Sequence, residues 1–402
     1  MTTLGRYVGL LAGVQLLVQV VLASRLPWLD RRWSLQRLTR WHAINGTVLP
    51  LTVVAHVTLV LGGGAALTRL DPLTYARLLL QVNGSVVHAA VAAGMLLLVW
   101  LVSALRAVRV RLPHEVWRAL HATAYVAVGL TLPHQLLVGS DLVAHRWARW
   151  AWVTAFCAAG LAMLAGRVIG PILASRRLGL RVLSVCRESD RVFSVWLSMR
   201  PEAAVHGGQV LFLRFLARRL VAQVHPLSAS LVDGDQLRVT VRVDGGWTAR
   251  LVQVRPGTRV LAAGPYGGFV ASSARTPGPY LVVAGGSGIT AVRGLVDDLG
   301  KAGRLDECTL VHRASSVDQM VFETELARLR GCGLVSHHLV GHRDDPSTGL
   351  SDVAALRALV PGLEAHEVFV CGSRAFVGHV RHLLRHAGLA PARIHVECYT
   401  LG

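Results

Sequence analysis

The chain changes its hydrophobic rhythm twice. Residues 1–170 carry long apolar runs at 4–26, 41–62, 82–105, 115–138 and 148–170. Each is long enough to cross a bilayer as a helix of about 20 residues. From Arg181 the runs shorten: 181–187, 192–198, 209–215, 236–243 and 258–263 are β-rich and separated by turns, the pattern of a small antiparallel barrel. From Tyr280, short apolar runs at 280–284, 307–312, 334–340 and 367–371 alternate with helical stretches at 289–301, 321–330, 351–359 and 374–387. That alternation predicts βαβ units on a parallel sheet. The expected fold class is multidomain: an α-helical transmembrane bundle of about five spans over 1–172, an antiparallel β-barrel over 173–275 and an α/β nucleotide-binding domain over 276–402.

Composition supports that division. The 402 residues are 52% hydrophobic yet 16% charged, too apolar for an ordinary soluble protein and too charged for a wholly membrane one. Net charge is +19, and Lys301 is the single lysine. The arginines form no dense run with interleaved aromatics, which argues against nucleic-acid binding. They sort instead by side of the membrane. The first connection between apolar runs holds Arg25, Arg31, Arg32, Arg37 and Arg40, the third Arg106, Arg109 and Arg111, and the stretch after the fifth Arg176, Arg177 and Arg181. The second holds Arg69 and Arg77, and the fourth Arg146 and Arg149. By the positive-inside rule this is a multi-pass cell-membrane protein, set in lipid, with its C-terminal half cytoplasmic and its N-terminus outside. The first apolar run has no Ala-x-Ala cleavage site and reads as a span. The six cysteines include no C-x-x-C pair, so they suggest reduced thiols rather than a zinc or iron–sulfur site.

Candidate chemistry enters with four histidines. His42 and His56 lie on the second apolar run, His121 and His134 on the fourth. Ionisable side chains in a bilayer are costly and mark function by default. At ~1.5 Å per residue each pair spans roughly 20 Å along its helix. Side by side, the two helices would offer an upper and a lower pair of nitrogen ligands, as needed to hold two stacked haems and carry electrons across a membrane. A spacing of 14 keeps His42 and His56 on one face, whereas a spacing of 13 leaves His121 and His134 about 140° apart. Pro133 is therefore expected to bring His134 round. His88 has no such mate and reads as structural, and His114 as interfacial.

In the last third, the first strand runs into Gly285-Gly-Ser-Gly-Ile-Thr290. Gly286, Gly288 and Ala291 fit G-x-G-x-x-A, a turn whose small residues let a pyrophosphate approach the amides of the next helix. The next strand ends in Val311-His312-Arg313 with no acid for ribose hydroxyls; Arg313 with Ser315 suits a 2′-phosphate, favouring NADPH over NADH.

Taken together, these residues resemble the ferric reductase and NADPH oxidase superfamily, most closely its compact bacterial NADPH oxidases, over nearly the whole chain. The resemblance implies that His42, His56, His121 and His134 ligate two haems b. His225-Pro226-Leu-Ser228-Ala-Ser230 is similar to the family's flavin motif, implying that Ser228 bonds the FAD ring and that His225 and Pro226 lie along FAD. Arg242-Val-Asp-Gly-Gly-Trp247-Thr248 is similar to its phosphate grip, and Gly264-Pro-Tyr-Gly-Gly-Phe269 to its closing turn. Gly285, Gly286, Gly288, Thr290, Arg313, Cys371 and Gly372 would bind the nicotinamide nucleotide. Cys371, Ser228 and Tyr399 are the residues expected at the reacting ring, with Tyr399 covering the flavin and moving aside for hydride transfer. The chain departs from the family in Leu227, where an aromatic is usual, in Ser373, where a proline follows Cys-Gly, and in five spans rather than six.

The implied activity carries electrons from cytoplasmic NADPH through FAD and the two haems to an acceptor outside, O2 giving superoxide. A ferric chelate is the alternative acceptor, drawn by Arg69, Arg77, His145, Arg146 and Arg149. The remaining alternatives are an electron-transfer subunit for a periplasmic protein partner and a flavin reductase on an inert anchor.

Overall fold

The computed structural model describes residues 2–105, 108, 111–276, 278–341 and 350–399. Arg106 and Arg109, used above for orientation, lie outside the described residues. The chain divides into two compact units, residues 1–26 with 35–167, and residues 27–34 with 168–402.

The helices are α1 (Thr2–Ala23), α2 (Pro27–Trp33, part of the second unit), α3 (Leu35–Thr68), α4 (Pro72–Val82), α5 (Gly84–Ala104), α6 (His114–Leu137), α7 (Ser140–Ala144) and α8 (Arg146–Leu164). All five apolar runs are helical. Four helices are both long and apolar enough to cross a membrane: α1, α3, α5 and the helical stretch Arg146–Leu178. Helix α6 has the length, at 24 residues, but carries Glu115, Arg118, His121 and His134, which lower its hydropathy. The second connection is shorter than expected, because α3 runs on to Thr68 and α4 follows. Asp71 starts α4: its Oδ1 accepts from the Leu73 and Thr74 amides at 3.0 Å each, and Pro72 sits where no amide partner is needed. Leu11, Leu51, Val126 and Leu161 are exposed, as lipid-facing residues are in a bundle whose backbone is satisfied within each helix.

The second unit continues through α9 (Gly170–Leu178) into β1 (Arg181–Arg187), β2 (Val192–Ser198), β3 (Val210–Phe215), β4 (His225–Asp233), β5 (Gln236–Arg242), α10 (Gly246–Leu251) and β6 (Val260–Tyr266). The six strands form one antiparallel sheet in the order β1-β2-β5-β4-β3-β6. It closes into a barrel where Val182 N donates to Thr258 O and Val260 N to Leu180 O. Leu197, Leu213, Phe215, Leu237 and Val239 fill it without exposure. Burying each such side chain contributes about 1.5–3 kcal/mol. Strand β4 falls where no strand was expected, on the flavin-motif segment. Its Pro226 and polar serines hide the alternation, yet Pro226 pairs opposite Phe212 without disrupting the ladder.

The parallel sheet comprises β7 (Tyr280–Gly285), β8 (Cys308–Ala314), β9 (Val335–Val340), β10 (Glu367–Ser373) and β11 (Ile394–Tyr399), in the order β11-β10-β7-β8-β9. Between them lie α11 (Ile289–Lys301), α12 (Glu323–Gly331), α13 (Val353–Leu359) and α14 (Arg374–His386). Leu281, Val282, Val283 and Ala284 are all fully buried, because helices cover both faces of β7; hence the continuous apolar run. Edge strand β11 was not expected, since His395 and Glu397 interrupt its apolar positions. Ser373, the departure noted above, caps α14 by accepting from the Phe376 amide.

Barrel and parallel sheet are joined by a carboxylate shared between two arginines. Arg238 of β5, 2% exposed, donates to both oxygens of Glu325 on α12 at 2.5 and 3.0 Å. Arg293 of α11 adds a third bond at 2.8 Å. Burial pushes the Glu325 carboxyl up, but the bonds and charge of Arg238 and then Arg293 outweigh it and hold the group below its usual value. Glu325→Ala leaves Arg238 buried and unpaired, so a loss of about 3 kcal/mol is expected in thermal unfolding of the purified protein. A depressed carboxyl contributes stability above the unfolded pKa and loses it as pH falls through the lower folded value. The difference between wild type and Glu325→Ala therefore shrinks below about pH 4.

Candidate functional site

In the helical unit the four histidines meet as two pairs. His42 on α3 faces His121 on α6 with ring centroids 6.1 Å apart, and His56 faces His134 at 6.3 Å. Pro133 lies inside α6 directly before His134, where the spacing required a bend. An iron bonded to two imidazole nitrogens at about 2 Å, each about 1 Å from its ring centre, sets those centres about 6 Å apart. Among the described residues no group of three or more His, Cys, Asp or Glu side chains gathers for a metal. Each level thus offers two imidazole rings, a donor set that would suit a haem and would not by itself complete a protein-only metal site. Between the levels, Ala12, Leu16, Leu49, Ala92, Leu96 and Ala127 form a buried apolar plug.

The supporting partners of the rings were not legible as such. His56 Nδ1 donates to Gly5 O at 2.8 Å, which fixes the ring. His42 Nδ1 lies 3.3 Å from Gln19 O, and His121 Nδ1 3.1 Å from Ser103 Oγ. The Gln19 side chain also bonds His42 O and accepts from Asn45. Gly9 on α1 has no side chain because a Cβ there would sit 2.7 Å from the His56 ring. The available signal was Gln19, Asn45 and Ser103 themselves, polar residues inside apolar runs.

In the second unit, the flavin-motif residues line the β4 side of the barrel. Ser228 is buried and stands opposite Val210 of β3. His225 stacks on Trp247 at 3.7 Å and shares a hydrogen bond with Gln223. Trp247 is itself buried in the barrel core, so it supports His225 from below. Arg242 donates to Asp244 at 3.0 Å, and Thr248 Oγ1 to Gly245 O at 2.9 Å, which fixes the turn into α10. Gly264 begins the closing turn, and Gly267 N in that turn donates to buried Asp30 of α2 at 2.9 Å. Sequence reading gave Asp30 no role.

The nucleotide candidates converge at the C-terminal ends of β7 and β10, where strand order reverses and α/β sheets bind ligands. Gly285 ends β7, and Gly286 turns with φ +54°. Gly288 packs so closely on β10 that a Cβ would run into Cys371 O and lie 3.0 Å from Gly372 N. Thr290 Oγ1 bonds Ser287 O at 3.0 Å and steadies the loop. A small cavity is lined by Arg242, Gly286, Ser287, Thr290 and Gln319, so the expected phosphate grip and the dinucleotide turn share one space. Arg313 is buried at the end of β8 beside Gly285, whereas Ser315 is exposed and bonded to Gln319. Tyr399 pairs in register with Ser373, next to Gly372; its side chain lies outside the described residues.

Behind this loop His312 is fully buried, 6.1 Å from the His338 ring. Among the described residues its nitrogens have no hydrogen bond of good geometry, although the Gly286 backbone lies close. Burial first, and His338 second, lower its pKa to about 4 from the usual 6.5. Between those values the unfolded chain binds the extra proton, so stability falls as pH drops from 6.5 toward 4. His312→Leu is expected to remove about 2 kcal/mol of that pH dependence, measured by denaturant unfolding at pH 7 and pH 5.

Comparison with known proteins accords with both halves. The family of ferric reductase like transmembrane components matches residues 8–132, and the oxidoreductase NAD-binding domain family matches 282–382. The first includes His42, His56 and His121 and stops two residues before His134. Ferredoxin–NADP reductase B of Sorangium cellulosum is 31% identical over 187 residues, covering 42% of this chain and 75% of that protein. An NADPH oxidoreductase of Mycobacterium tuberculosis is 27% identical over 246 residues, covering 58% of this chain and 62% of that protein. A flavohemoglobin from Malassezia yamatoensis, solved with bound FAD and heme, superposes with TM-score 0.50 at 16% identity, over 77% of this chain and 85% of its own, a likeness of fold. The chain is a membrane oxidoreductase with FAD- and NAD(P)-binding domains for transmembrane electron transfer from NAD(P)H, and it belongs to the ferric reductase and NADPH oxidase superfamily.

Proposed function

We propose that this protein is a flavocytochrome b that takes electrons from NADPH on the cytoplasmic side and delivers them to O2 on the outer face, giving superoxide. The observation that carries the reading is the double pairing of His42 with His121 and His56 with His134 at 6.1 and 6.3 Å. Four histidines brought two by two to iron-compatible separations, on either side of an apolar plug, have no comparably economical structural role.

His42 and His121 would hold the inner haem, and His56 and His134 the outer. Ser228, His225 and Pro226 would seat FAD along β4, with Arg242 and Thr248 toward its phosphates. Gly286, Gly288, Thr290, Cys371 and Gly372 would hold the nicotinamide nucleotide, and Tyr399 would yield the flavin face to it. When bound, flavin and haem supply the conversion of a hydride into single electrons. The chain's own residues supply position and dryness. The absence of an acid at the end of β8, with Arg313 and Ser315 in its place, supports NADPH over NADH. The arginine-rich odd connections support the cytoplasmic placement of the second unit.

The test is one absorbance trace of the purified protein loaded with haem and FAD. NADPH is added without oxygen, then air is admitted. Haem bands that reduce and then reoxidise rapidly support the oxidase. Bands that reduce but persist in air keep the relay and move the acceptor to a ferric chelate or protein partner. Bands that never reduce overturn the relay from NADPH.

A further inference from the structure

We propose that the second unit carries a binding surface for anionic phospholipid headgroups, on the barrel edge formed by α9, β6 and the turn after β3. The inference needs only that the chain is membrane-bound. It depends neither on the haem reading nor on which acceptor is reduced.

The surface begins with an asymmetry of charge. Segments 168–186, 209–224 and 249–263 hold arginines but no aspartate or glutamate. The fold brings the three together. Ser175 Oγ of α9 donates to Ala262 O at 3.0 Å and accepts from Ala262 N at 2.9 Å, standing in for a ladder partner on the outer edge of β6. Arg176 and Arg177 follow directly and are exposed. Leu216 N donates to Arg259 O at 2.9 Å, tying the turn after β3 to the residue before β6, and Arg181 pairs with Arg259 from the other side. Leu213, Phe215 and Val260 point into the core, so their neighbours Arg214 and Arg259 point outward. Among the described residues, Arg176, Arg177, Arg214, Arg218, Arg219 and Arg259 form no ion pair. Like charges gathered without a counter-charge repel one another, and an anionic surface relieves that repulsion.

Chain connectivity says what the counter-charge is. Helix α9 ends the helical stretch Arg146–Leu178, which is long and apolar enough to cross a bilayer. Helix α2, between α1 and α3, sets Asp30 Oδ2 on Gly267 N at 2.9 Å, one residue past β6. The elements that join the second unit to apolar helices therefore both end at β6. Leu216 and Val221, 39% and 43% exposed, flank Arg218 and Arg219. Apolar tips beside arginines make an interfacial segment: the tips enter the headgroup layer and the guanidiniums take phosphate oxygens in pairs. An acidic protein would engage the arginines but give the two apolar tips no use. Each arginine near an anionic surface contributes about fivefold in affinity, so Arg218, Arg219 and Arg259 together supply about 100-fold.

The test places the full-length protein in nanodiscs of phosphatidylcholine alone, or of phosphatidylcholine and phosphatidylglycerol in equal parts, and follows hydrogen–deuterium exchange by mass spectrometry. Amides of 216–221 are expected to exchange at least about fivefold more slowly in the mixed discs. Raising NaCl to about 0.5 M, which shortens the screening length to roughly 4 Å, is expected to abolish the difference. The triple variant Arg218→Gln, Arg219→Gln, Arg259→Gln is expected to exchange alike in both discs with unchanged exchange in β7. Equal exchange of the wild-type protein in the two discs at low salt, or a difference that survives high salt or the triple variant, overturns the inference. Protection that appears only when poly-glutamate is added, whatever the disc, overturns the lipid assignment in favour of an acidic protein. None of these outcomes bears on the proposed function, which stands or falls on haem reduction by NADPH.

Discussion

His56→Leu is expected to abolish electron delivery to outer-face acceptors, with the rate of cytochrome c reduction by superoxide falling at least about 100-fold. Loss of even a supporting partner of a metal-bound histidine costs about 10–100-fold, and loss of the ligand itself costs more. The leucine would replace a ring whose centroid lies 6.3 Å from that of His134 and which Gly5 O now orients. The loss should fall on the outer leg alone. NADPH should still bleach the flavin, and the inner haem bands should still reduce, because His42 and His121 are more than three helical turns away. Haem content measured as pyridine haemochrome should drop from two per chain toward one. Unchanged superoxide output from this variant would sink the relay and favour a flavin reductase on an inert anchor.

The second large effect is expected at Gly288. A methyl group there meets Cys371 O and the Gly372 amide, both backbone atoms of a strand buried on each side, so neither side can yield cheaply. Gly288→Ala should displace the dinucleotide turn from the end of β10. A misplacement near 1 Å costs about 100-fold in a reaction that depends on alignment. The expected outcome is a loss of that order in kcat/KM for NADPH, read as anaerobic flavin bleaching in a stopped-flow instrument. FAD content should stay normal, because the flavin candidates lie on β4, β5 and α10. A normal rate of bleaching would remove the 285–290 turn from the nucleotide site.

The architecture was legible because each part obeys a different period. Spans need uninterrupted apolar length, barrel strands alternate, and the strands of a covered parallel sheet are apolar throughout. The elements missed were those whose residues obey no such rule. Strand β4 carries Pro226 and three serine or histidine positions because one side of it is a candidate ligand surface, and β11 is a polar-interrupted edge. Helix α6 falls short of the hydropathy of a plain span because its histidines and flanking charges are themselves the candidate site.

Site residues divide in the same way. The four histidines and the turn at 285–290 announce themselves, since imidazole in an apolar run and glycine after a buried strand are costly without a use. By itself the sequence determined the order of the three architectures, the two histidine spacings and the dinucleotide turn, because period, length and residue type are local properties. The pairing of His42 with His121 and His56 with His134 follows from the ends the two runs present to each membrane face; the tertiary structure supplied the separations, 6.1 and 6.3 Å, despite a 13-residue spacing that leaves an ideal helix about 140° out of phase. The tertiary structure alone showed that Trp247 stacks on His225 and that Glu325 is shared by Arg238 and Arg293. Those are distances between residues far apart in the chain, set by how helices and sheets pack, and no local pattern encodes them.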